Sequence, residues 1–272
     1  VRRGLALAGL LALLRAAWAA QPAPQATPLP ATASPSPAAS AGLSGTAQAL
    51  SPAAEAEPPA RFKVTAQQVM ARLLKAQASL AAFSCDVSRE EVPEGAAPRL
   101  SQGTLKVKPG GRARFEIAKP SPQLLVSDGS TLWMALPEAR QVFRQETRSL
   151  RTSGQFFLDL TSSIRYYSKN SQARLRSAGP GFDPRSTVAL ELTPKDPATC
   201  GFDKVVVWVD LGRWVILQGE LTGSGTLVRA KFSRIHAYSL AQVKADPSKR
   251  LPDKLFHYQP PKGWEVFDSL LP

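Results

Sequence analysis

Apolar side chains at every second position dominate this chain from about residue 83 onward. Phe83, Cys85 and Val87 alternate with Ser84, Asp86 and Ser88, Leu105 and Val107 with Thr104, Lys106 and Lys108, and Phe115 and Ile117 with Arg114 and Glu116. A period of two places successive side chains on opposite faces of a strand, so each segment has one dry face and one wet face. Turn residues punctuate these runs. Pro109-Gly110-Gly111 closes one hairpin, Asp128-Gly129 joins 124–126 to 131–134, and Gly223-Ser224-Gly225 closes another. Further strands are predicted over 141–145, 173–177, 187–193, 204–210, 213–221 and 226–235, and a last extended piece holds Leu255, Phe256, Tyr258 and residues 264–267. Helical spacing appears in two places. After an N-cap at Thr65, Val69, Met70, Leu73, Leu74, Leu80 and Ala81 predict an amphipathic helix ending near Ala82. Phe156, Phe157, Leu158, Leu160 and Ile164 predict a short apolar helix within 154–164. The fold class is therefore mainly β with helices (α+β): a strongly curved antiparallel sheet, or incomplete β-barrel, of about ten to eleven strands, with a helical lid over the concave face. Alternation alone does not separate a filled core from a ligand hollow.

The chain opens with Arg2-Arg3, an apolar run from Leu5 to Leu14, and the small-residue end Ala17-Trp18-Ala19-Ala20. These are the three parts of a signal peptide, read over residues 1–20. The run falls short of the roughly 20 apolar residues that span a bilayer. Residues 21–61 are written almost wholly in Ala, Pro, Ser, Thr and Gln without hydrophobic period, and read as a disordered linker. The folded domain is expected over 62–271. Export places it in the periplasm. The net charge of +13 favours an anionic partner, such as lipid head groups or an acidic protein, or simply a solvated basic surface. Nucleic acid is not an expected partner in that compartment. An oxidising compartment allows Cys85 and Cys200 to pair, and Cys85 equally fits as a small core residue.

Nothing in the sequence assembles a catalytic set. His236 and His257 lie in separate extended segments, no Gly-x-Ser-x-Gly occurs, and no Cys or His spacing suggests a metal site. Glu90-Glu91 and Glu94 sit beside Pro93 and Gly95 and read as a solvated turn. No cofactor and no enzymatic activity are expected.

Several blocks, in order along the chain, resemble one family. Leu124-Leu125-Val126-Ser127-Asp128-Gly129-Ser130-Thr131-Leu132-Trp133 resembles the LVSDGKTLW block of the LolA family of periplasmic lipoprotein carriers. Gly103-Thr104-Leu105-Lys106-Val107-Lys108, Arg114-Phe115-Glu116 with Lys119-Pro120, and Leu190-Glu191-Leu192-Thr193-Pro194-Lys195 resemble its other strands. Phe256 to Val266, with Pro260-Pro261 and Gly263, resembles its ending. The resemblance implies a half-open barrel that binds the acyl chains of lipoproteins. Cargo would come from an inner-membrane lipoprotein-releasing ABC transporter and pass to an outer-membrane acceptor lipoprotein or membrane, with the carrier a monomer. On this account Phe83, Val87, Leu105, Val107, Phe115, Ile117, Leu124, Val126, Leu132 and Met134 line the cavity, and Phe156, Phe157, Leu158 and Leu160 belong to the lid. The family commonly carries an Arg after its Val-Lys, at the cavity mouth. Pro109 stands there in this chain, which leaves Lys108 and Arg112 as the neighbouring cations. The alternatives are a related binding module for another envelope lipid or glycolipid, or an envelope-stress lipoprotein sensor.

Overall fold

The computed structural model describes residues 64–147, 168–196, 202–223 and 225–268. The expected signal peptide, linker and short apolar helix, together with Cys200, lie outside them. Helix α1 spans Ala66–Ser79. Thr65 caps it reciprocally: Thr65 Oγ1 accepts the Gln68 N–H, and Gln68 Oε1 accepts the Thr65 N–H. The helix stops short of Ala82 because Leu80 and Ala82 already pair with a distant strand, and tertiary pairing overrides local spacing.

The strands are β1 (Leu80–Pro93), β2 (Arg99–Lys108), β3 (Arg112–Lys119), β4 (Gln123–Asp128), β5 (Thr131–Leu136), β6 (Gln141–Glu146), β7 (Ser171–Arg176), β8 (Thr187–Pro194), β9 (Lys204–Asp210), β10 (Val215–Gly223), β11 (Thr226–Ser239) and β12 (Glu265–Phe267), with helix α2 (Leu240–Ala245) after β11. They form one sheet in the order β12-β6-β5-β4-β3-β2-β1-β11-β10-β9-β8-β7. The sheet has twelve strands rather than ten to eleven, because the C-terminal segment adds β12 alongside β6 as its one parallel pair. Two meanders make up the rest. One runs outward from β1 to β6, and the other returns from β7 to β11, whose pairing with β1 joins them.

The sheet is open and curved. Register shifts interrupt β1–β11 between Ser84 and Asp86, β2–β3 between Gln102 and Gly103, and β9–β10 between Ile216 and Gln218. Each such irregularity adds local twist and bend. Gly103 is required at its shift, since a Cβ there would collide with the Glu116 carbonyl. One face buries a continuous apolar cluster that includes Val69, Met70 and Leu73 of α1 and residues from both meanders.

The outer face is also covered. The turn Asp253–Phe256 lies across β3 and β4, with Phe256 1% exposed. Lys108 Nζ donates to the Leu251 carbonyl at 3.1 Å and pairs with Asp253 at 2.5 Å, while Arg112 reaches the same carboxylate at 2.8 Å. Arg114 donates to the Leu255 carbonyl, and Tyr258 meets the Trp133 ring at 6.0 Å between centroids. On the other half of the sheet, Trp208 donates to the Ala178 carbonyl at 2.7 Å and stacks on Phe182.

Hydrogen bonding from Lys108, together with its charge and those of Arg112 and Arg250, holds the Asp253 carboxyl below its ordinary value. A depressed carboxyl binds fewer protons in the native than in the unfolded state, so its contribution is present above a pH of about 4 and is lost as pH falls through the native value. Asp253→Asn should therefore lower the melting temperature at pH 7 and narrow its difference from the parent at pH 3; equal melting at pH 7 would remove the clamp. Gly129, at φ +102°, packs so closely on the Gly110 carbonyl that a Cβ would collide with it. Gly129→Ala should cost about 1–3 kcal/mol in urea unfolding, since the residue must both strain its backbone and part the two hairpin tips.

Candidate functional site

The inner face is built by alternation, strand by strand. Phe83 and Val87 of β1 are buried there beside Ala237 and Phe232 of β11 on one side and Val107 and Gly103 of β2 on the other. Leu105 pairs with Phe115, Phe115 with Leu125, and Leu125 with Met134, so one apolar row crosses four strands. Ile117, Leu132 and Leu136 extend it. The second meander supplies Leu192 against Val205, Leu190 against Val207 and Val188 against Val209, with Leu221 beside Val205. Helix α1 packs on this face near β7 and β10, and its Arg72 lies over the Trp214 ring at 5.5 Å.

Of the expected lining, Phe83, Val87, Leu105, Val107, Phe115, Ile117, Leu132 and Met134 share this cluster, with Val107 only partly buried. Leu124 and Val126 do not. Val126 pairs with Arg114 and Trp133, and Leu124 with Glu116 and Ala135, which puts both on the outer face; Leu125 takes the inward place instead. The run Leu124-Leu125-Val126 is apolar on both faces because the C-terminal segment covers the outer one, so alternation could not choose the parity. The nearest signal was Ser127, whose hydroxyl reaches the Gly111 carbonyl at 2.8 Å and fixes the hairpin register.

Lys108 and Arg112 are likewise outward. Both are engaged with Asp253, on the face opposite the apolar cluster, so neither stands at the mouth of an inner cavity. Phe156, Phe157, Leu158 and Leu160 lie outside the described residues. Cys85 is a buried free thiol on the inner face, and burial pushes its pKa up to about 12. Its expected partner Cys200 lies outside the described residues.

The acidic turn read at Glu90-Glu91 is instead the end of β1. Glu90 faces outward and joins Arg229 and Glu220 in a half-exposed ion network. Glu91 faces inward, 3% exposed, and accepts from Arg89 Nη2 at 2.7 Å. Ser101 is cross-strand from Arg89. These polar residues on an apolar face were missed because Pro93 and Gly95 ended the predicted strand early.

His236 borders two clefts of about 350 and 450 Å³. The cations there face carboxylates: Arg213 with Asp210, Arg234 with Asp86, Lys249 with Asp246 and Arg250 with Asp253. His257 is exposed at a separate place, and no three potential metal ligands cluster among the described residues. What the described site offers chemically is apolar surface.

A buried thiolate is disfavoured, so Cys85 should react with a maleimide at pH 8 at least tenfold more slowly in the folded protein than in urea, measured in a Cys200→Ser background. Fast labelling of the folded chain would show that this part of the inner face opens readily.

Residues 75–242 match the family described as outer membrane lipoprotein carrier protein LolA. The outer-membrane lipoprotein carrier protein of Dechloromonas aromatica (strain RCB) is 29% identical over 197 residues, covering 72% of this chain and 81% of its own length. That of Serratia proteamaculans (strain 568) is 27% identical over 204 residues, covering 75% and 88%. Among solved structures, a LolA superfamily protein from Nitrosomonas europaea aligns over 72% of this chain and 98% of its own at 18% identity and a TM-score of 0.37. MucB aligns over 74% and 65% at 15% identity and a TM-score of 0.44. With the family match covering more than half of its length, the chain belongs to the LolA family of outer membrane lipoprotein carrier proteins.

Proposed function

We propose that this protein is a periplasmic lipid-binding chaperone that shelters the acyl chains of lipoproteins against the inner face of its curved sheet and carries them across the aqueous space. The observation that carries this reading is the apolar face itself, continuous from β5 through β1 to β8 and built on a sheet that does not close. Each buried CH₂ contributes about 0.8 kcal/mol, so an acyl chain leaves a membrane only for a surface of comparable apolarity. An open sheet can part from its covering elements and admit such a chain, whereas a closed barrel would have to break a ladder of hydrogen bonds. Residues 156–160 would form the lid, the segment 1–20 would direct export, and 21–61 would tether the domain. Loading would come from an inner-membrane lipoprotein-releasing ABC transporter and delivery would go to an outer-membrane acceptor lipoprotein or membrane.

A second reading, a carrier of another envelope lipid or glycolipid, is favoured by one observation. Pro109 replaces the Arg that the family resemblance places at the cavity mouth, and both neighbouring cations are held by Asp253 on the outer face. Coupling between lid and cargo would then differ from the family's usual form.

Mass spectrometry of the protein purified from the periplasm should find acylated protein or lipid bound to it, and the class found decides between the two readings. Leu132→Glu, which sets a charge on the inner face, should lower retention of a fluorescent acyl probe about tenfold or more, since an unpaired buried charge is costly. Unchanged retention in a variant that still melts cooperatively would take Leu132 out of the lining.

A further inference from the structure

Arg89 and Glu91 are the only charged side chains buried on the inner face among the described residues; the third buried charge, Glu191, faces outward and is paired with Arg176. Arg89 and Glu91 follow Phe83, Cys85 and Val87 along the inward row of β1 and are flanked by Ala230 and Val228 of β11. Their single mutual bond leaves much unsatisfied. Arg89 Nε, Glu91 Oε1 and the Ser101 hydroxyl oxygen are all sealed from solvent without a hydrogen-bond partner. An orphaned buried polar group costs about 1–3 kcal/mol, and more when it is charged. A pair whose role was only to hold the fold would be retained where water or neighbours complete it, as happens for Glu90, Arg229 and Glu220 on the half-exposed outer face.

We propose that Arg89, Glu91 and Ser101 form a polar seat within the apolar face for the group at the root of an acyl chain, and that this group carries both a hydrogen-bond acceptor and a donor, as a secondary amide does. This rests on the acyl-carrier reading given above and specifies its cargo. The Arg89 Nε–H meets a carbonyl oxygen, Glu91 Oε1 accepts an N–H, and the Ser101 hydroxyl serves either. The chemistry also sorts the alternatives. A simple ester offers only acceptors and leaves Glu91 Oε1 unpaired. A free carboxylate or phosphate brings a negative charge next to Glu91, and like charges in a poorly solvated site repel strongly. The predicted order is therefore N-acyl amide, then ester, then free fatty acid.

The test is displacement of an environment-sensitive acyl fluorophore from the purified full chain by three probes of equal chain length: N-palmitoylglycine methyl ester, its isostere in which oxygen replaces the amide N–H, and palmitate. The amide should displace the fluorophore at about tenfold lower concentration than the ester, equivalent to about 1.4 kcal/mol. In the double variant Arg89→Met, Glu91→Leu the amide and ester should displace equally. Exchanging a buried ion pair for apolar residues of similar size is often neutral or stabilising, so this variant is expected to fold. Equal displacement in the parent chain, or an amide preference that survives in the double variant, would overturn the seat while leaving acyl binding intact. Failure of all three probes to displace, or of the fluorophore to bind, would overturn the carrier reading and the seat together.

Discussion

The antiparallel pairing of β1 with β11 joins the two halves of the sheet. Both strands are fourteen residues long, and they pair from Leu80 with Ser239 to Pro93 with Thr226. Without that ladder the chain would be two separate meanders, each with one wet face and one apolar face and nothing to curve them together. With it, Leu105 and Met134 from one side and Leu190 and Val207 from the other join a single cluster. The pairing is also where the sheet bends. Between Ser84 and Asp86 the partner strand carries one extra residue, with Arg234 at φ +47°, and Asp86 pairs with the Arg234 guanidinium there. A bulge at the central pair turns both meanders toward the same side.

The two faces are then treated differently by the same chain. The outer face is finished by fixed contacts: Asp253 between Lys108 and Arg112, Arg114 on the Leu255 carbonyl, and Tyr258 against Trp133. Charges and aromatic rings with defined geometry make a permanent cover. The inner face is covered by α1 through Val69, Met70 and Leu73, which are apolar side chains without directional bonds. Non-directional contacts exchange for an acyl chain at little cost, whereas the outer ion pairs would not. This asymmetry supports the proposed binding role of the inner face even though both faces bury apolar side chains.

How much was legible in the sequence follows from the same asymmetry. Strands with one wet face, β1 to β3, declared their inward residues through alternation, and Phe83, Leu105 and Phe115 lie where that pattern puts them. The cap at Thr65 was equally plain. Where the outer face is also dry, the pattern fails: β4 reads Leu124-Leu125-Val126, and its parity is set by a cover more than a hundred residues away in the chain. β12 is three residues long and has no pattern at all; its strand character comes from lying against β6. Helix α2 was missed although its cap was written plainly, since Ser239 and Gln242 repeat the arrangement of Thr65 and Gln68. Its six residues were too few to show a helical stripe.

Among the described residues, buried charge enters the inner face at the far end of β1. Arg89 and Glu91 stand two residues apart, hence on one face, and Ser101 stands across the ladder from Arg89. The pair is neutral overall, so it does not repel an apolar ligand as a lone charge would. It also keeps one donor on Arg89 and one acceptor on Glu91 unused. An apolar face holds any chain of suitable length and orders none of them. A buried donor and acceptor set at one end of that face give the bound chain a direction, because only one end of an acylated molecule can satisfy them. Selectivity in such a carrier then arises less from the contacts it makes with the chain than from the polar atoms it leaves unpaired when the wrong molecule is bound.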